Sequence, residues 1–116
     1  VTSELFRAIA ERNNIHCLDV LTGFKYIGEK IYQWEEERNV GGTTHHFICG
    51  AEESYGYLVG TQVRDKDAII SSTIICEAAL QMKMQGKTLV DLLYEIYTTY
   101  GVFREKLVSI TLEGKE

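Results

Sequence analysis

The segment from Ala68 to Gln85 is spaced as a helix yet is apolar on most of its circumference. A helix of that kind has to be covered on more than one side, so it packs against both a sheet and a neighbour. That requirement points to a layered fold before any other element is read. The most apolar part, Ala68 to Leu80, is too short to span a bilayer and is interrupted by Ser71, Ser72 and Glu77. No signal peptide is visible, so no membrane partner is expected.

The remaining elements alternate. Leu5, Phe6, Ile9 and Ala10 recur at helical spacing behind a capping Ser3, and Asn13-Asn14 ends that helix. Ile15 to Leu21 reads as a mostly buried strand. After the Thr22-Gly23 turn, Phe24, Ile27, Ile31 and Trp34 repeat at three and four, which predicts a second helix. Gly41-Gly42-Thr43-Thr44 is a flexible connection, and short strands are expected at His45 to Cys49 and Tyr57 to Val59. Asp67 caps the apolar helix and Gly86 closes it. Thr88 opens a last helix that ends at Gly101, and 107–112 alternates as a final strand. The sum is an α/β chain: a three-layer α/β/α sandwich with a mixed sheet of about four strands, forming one domain over residues 1–116.

The net charge of −5 gives no basic surface for nucleic acid. Glu35, Glu36 and Glu37 read as a solvated helix end. Cys17, Cys49 and Cys76 are odd in number and lack CxxC spacing, so they are expected reduced and buried, in a cytoplasmic protein. His45 and His46 lack further adjacent ligands for a tetrahedral metal site.

Three segments could carry chemistry. Gly50-Ala51-Glu52-Glu53-Ser54-Tyr55-Gly56 sets two carboxylates and a hydroxyl between glycines. A carboxylate accepts two hydrogen bonds at once and suits a vicinal diol, and glycine lets backbone approach a ligand. The same loop also reads as a plain structural turn. Arg64-Asp65-Lys66-Asp67 is either a self-neutralised helix start or a place where Lys66 or Arg64 reaches a phosphoryl group. Thr22-Gly23 stands at a strand-to-helix turn, where α/β proteins bind ligands.

Taken together, Thr22-Gly23-Phe24-Lys25-Tyr26-Ile27-Gly28, then Cys49 to Gly56, then Arg64-Asp65-Lys66-Asp67 resemble, in order and spacing, the third domain of the α-D-phosphohexomutases. The similarity spans nearly the whole chain. It implies a fragment of a larger four-domain enzyme, an expectation that an initial Val in place of Met also supports. It implies substrate-binding roles for Glu52, Ser54, Thr22 and Gly23, and electrostatic catalytic roles for Lys66 and Arg64.

The implied activity is that of a phosphoglucomutase/phosphomannomutase, which interconverts hexose 1-phosphate and hexose 6-phosphate. Such an enzyme uses a phosphoserine, Mg²⁺ and a sugar 1,6-bisphosphate intermediate. Neither a serine loop nor a DxDxD metal loop of the family type occurs in this chain. The Mg²⁺ ligands are therefore expected in other domains of the parent chain, and the chain alone is expected to be inactive. A phosphopentomutase-branch domain and a non-catalytic sugar-phosphate-binding module are the alternatives.

Overall fold

The computed structural model describes residues 2–42, 45–106, 108 and 110. Thr43, Thr44 and most of the strand expected over 107–112 lie outside the described residues. Four helices and a hairpin follow in the order α1 (Glu4–Arg12), α2 (Phe24–Asn39), β1 (Cys49–Ala51), β2 (Tyr57–Val59), α3 (Ala68–Met84) and α4 (Leu89–Tyr100).

Local chemistry sets the helix ends. Ser3 Oγ accepts the Leu5 N–H at the start of α1. Asp67 Oδ1 accepts the N–H groups of Ile69 and Ile70 at the start of α3. Thr88 and Asp91 form a reciprocal capping box on α4. Gly86, at φ 71°, takes the left-handed position that follows α3. Helix α2 differs, because its N-cap is Gly23 at φ 122° and makes no side-chain cap bond.

The hairpin is antiparallel, with Cys49 opposite Val59, Gly50 opposite Leu58 and Ala51 opposite Tyr57. Leu58 and Ile31, each 1% exposed, pack with Phe24 into a cluster flanked by Ile27 and Phe47. Helix α2 is thereby seated on β2. Helix α3 lies against β2 and α4, and α1 touches α4. At that last contact Arg12 binds the Thr99 carbonyl, and its guanidinium stands 5.8 Å from the centre of the Tyr100 ring.

The chain is thus mixed α and β, with two paired strands among the described residues where about four are expected. Among the described residues the segment 15–21 has no ladder partner. Arg7 holds it from the α1 side, through the Cys17 carbonyl and Asp19. It lines, together with 45–53, a cavity of about 530 Å³. Pairing on the other side begins at Cys49, where the expected strand was to end.

The cysteines are free but not buried as expected. Cys17 is half-buried, and Cys49 and Cys76 are exposed. Helix α3 keeps an open apolar face, with Ile69 81% and Met84 80% exposed. Among the described residues no helix is long and apolar enough to cross a membrane.

Candidate functional site

The hairpin loop places the first group. The Glu52 N–H donates to the Gly56 carbonyl at 2.9 Å, closing the turn that carries Glu53, Ser54 and Tyr55. Tyr55 turns the corner at φ 62°, a left-handed conformation that costs a non-glycine residue about 1–2 kcal/mol. Ser54 and Tyr55 are exposed at the tip.

The segment after β2 places the second group. The Asp67 N–H donates to the Tyr57 carbonyl at 2.8 Å, pinning the start of α3 to the hairpin. Asp65 Oδ1 accepts the Lys66 N–H at 2.7 Å. Lys66 then folds back over the turn, and its Nζ lies 3.2 Å from Glu52 Oε1. The carboxylate side chain is 11% exposed and the lysine 49%. The ammonium also stands 6.0 Å from the centre of the Phe24 ring, at the first turn of α2.

Gly56 makes this pairing possible. A Cβ there would lie 2.5 Å from Glu52 Oε1, 2.8 Å from Glu52 Cγ and closer still to Lys66 Cδ. The pair's lysine end is half open to water, and screening there keeps the contribution to folding modest, about 1 kcal/mol.

Thr22, Gly23, Glu52 and Glu53 line the same cavity, together with Cys17, Cys49, Ile27, Trp34 and Phe47. Thus the turn before α2 and the hairpin loop, remote in sequence, border one space. Ser54, Lys66 and Arg64 are not among the cavity's lining residues; Lys66 joins through Glu52. Arg64 is engaged elsewhere. It donates to the Thr61 carbonyl at 2.8 Å and to Glu35 Oε2 at 2.5 Å. Glu35 was read as part of a solvated run, yet it turns to this partner while Glu36 and Glu37 remain exposed. Its helical spacing from Phe24 and Ile31 was the available signal.

The donor set does not suit Mg²⁺. Among the described residues no three His, Cys, Asp or Glu side chains gather as a metal site requires. Asp65 and Asp67 are occupied as backbone caps. What the site offers is the carboxylates of Glu52 and Glu53, the Lys66 ammonium, a hydroxyl at Thr22 and a second at Ser54, beside Gly23 and Gly50.

The family described as phosphoglucomutase/phosphomannomutase, alpha/beta/alpha domain III, matches residues 1–100. The chain belongs to that family.

Curated relatives agree. A phosphoglucomutase of Staphylococcus aureus (strain bovine RF122 / ET3-1) is 43% identical over all 116 residues. The phosphoglucomutase of strain MSSA476 is 42% identical over the same length. In each case the chain covers 100% of itself and 20% of the relative, so it spans about a fifth of the phosphoglucomutases it matches. No solved structure matches. As a phosphoglucomutase/phosphomannomutase domain, the chain is consistent with the family's alpha/beta/alpha description in its mix of four helices and a two-stranded sheet among the described residues.

Proposed function

We propose that this chain is the sugar-recognition domain of a phosphohexomutase acting on glucose phosphates in the cytoplasm. The observation that carries the reading is the Glu52–Lys66 pair, held at 3.2 Å across Gly56, with Glu52 lining a cavity that Thr22 also lines. Glu52 accepts hydrogen bonds from adjacent ring hydroxyls, which its two oxygens can do together. Ser54, at the exposed tip, donates to or accepts from a neighbouring hydroxyl. Thr22 and Gly23 border the same cavity. Lys66 faces the phosphoryl group and stabilises its charge, with Arg64 behind it.

Mg²⁺ would be held by residues outside this chain, together with the phosphoserine and the site for the second phosphate. Phosphoryl transfer rests on positioning and electrostatics, and this chain supplies only part of both. Alone, it binds sugar phosphates with millimolar affinity, about 4 kcal/mol, and turns none over.

Titration of the chain with glucose 1-phosphate, followed by amide chemical shifts, tests the reading. Shifts are expected at Thr22, Glu52, Ser54 and Lys66, and E52Q should abolish them. Shifts confined to other loops would remove the sugar-binding assignment. Mutase turnover by the purified chain, persisting through further purification, would remove the claim of inactivity.

A further inference from the structure

One stripe of α2 governs the segment that bears Lys66. Phe24, Gly28, Ile31 and Glu35 follow each other at spacings of four and three, on a single helical face. Phe24 and Ile31 hold Leu58 of β2. Gly28 lies beneath the Arg64 carbonyl, where a Cβ would come within 2.9 Å of the oxygen. Glu35, two turns further on, takes the Arg64 guanidinium at 2.5 Å. The helix therefore touches Arg64 by backbone and by side chain.

The other end of the segment is tied to the hairpin by the Asp67 N–H on the Tyr57 carbonyl, at 2.8 Å. Asp65 and Lys66 alone lie between the two anchors. The Lys66–Glu52 contact is made at the far end of a long, half-exposed lysine stem, so it does not by itself fix the backbone of the segment. A lysine on a flexible stem reaches one place repeatedly when the backbone beneath it is fixed.

We infer that Glu35 is a positioning residue. By clasping Arg64 against α2 it holds the backbone from which Lys66 meets Glu52. The inference deepens the proposed sugar-phosphate role of that pair and rests on it for its functional meaning. Arg64 acts here as a tether rather than as a group that touches substrate.

The test has two arms. In the 116-residue chain, E35A is expected to displace the amide resonances of Lys66, Asp67 and Glu52. The exposed neighbour gives the control: E36A should leave them in place. The charge swap E35R/R64E should return them toward their original positions. In the full-length mutase containing this chain, E35A is expected to lower kcat/KM for glucose 1-phosphate on the order of tenfold, and the swap should recover most of the loss.

Should E35A not fold, E35Q removes the charge while keeping the shape and carries the same test. A purely structural role would lower the unfolding midpoint and leave kcat/KM unchanged below it. Amide shifts confined to α2 and Arg64, unchanged kcat/KM, or failure of the swap to restore either readout overturns the inference. If the unmodified full-length protein does not turn over glucose 1-phosphate, the proposed function fails, and the amide arm alone decides the positioning.

Discussion

Lys66 Nζ and Glu52 Oε1 meet at 3.2 Å directly above Gly56, and no residue larger than glycine would leave them room. A turn and a helix start thus share one charge pair, with α2 beneath both. The consequences can be measured at several points.

Gly56→Ala should separate the pair. The added methyl meets side-chain atoms of Glu52 and Lys66, which can swing away. Folding should survive with a loss of about 1 kcal/mol, whereas the glucose 1-phosphate shifts at Glu52 and Lys66 should disappear. Thermal unfolding and amide titration on the same sample separate the two effects.

Gly28→Ala should reverse the usual sign. At an open helical position the change stabilises by about 1 kcal/mol. Here the methyl would press on the Arg64 carbonyl oxygen at 2.9 Å, which is backbone and has to shift. Overpacking of that kind costs about 1–3 kcal/mol, to be read as a lower urea midpoint.

Leu58→Ala should uncouple α2 from the hairpin. Leu58 is 1% exposed and fills the cluster with Phe24 and Ile31. The expected loss is about 2–5 kcal/mol, measured by urea unfolding, and helices α1 and α4 should keep their mutual contact better than α2 keeps the hairpin. Hydrogen exchange resolves that order.

The start of α4 should be sensitive to acid. Hydrogen bonds from the Thr88 hydroxyl and N–H hold the Asp91 carboxyl below its ordinary value of 3.8. The folded chain binds that proton less readily than the unfolded chain. The resulting stability is complete above 3.8 and is lost as pH falls through the lower folded-state value. Amide protection in the first turn of α4 should fall in that window, and D91N should abolish the dependence. Thr88→Ala should cost about 1 kcal/mol near neutrality.

The helices were legible because their information is local. Ser3, Asp67 and Thr88 cap where the apolar spacing begins, and Gly86 and Gly101 stand where it ends. The segment 15–21 was harder, since apolar alternation says which side chains want cover and not which backbone will supply a ladder. What holds it lies outside the segment, as in the Arg7 contacts to Cys17 and Asp19. In the site, Glu52, Lys66 and Thr22 stood out by type and glycine context. Glu35 did not, because its neighbours Glu36 and Glu37 hide it in a run of charge, and only the helical register with Phe24 and Ile31 separates it.

If the pair binds sugar phosphate as proposed, a ligand that lodged between acid and amine would have to part them. A sugar without phosphate would satisfy the acid and strand the amine; phosphate without a sugar would do the converse. A molecule bearing both groups makes the exchange even. Under the proposed role, the pair would therefore favour ligands that carry both groups over simpler solutes.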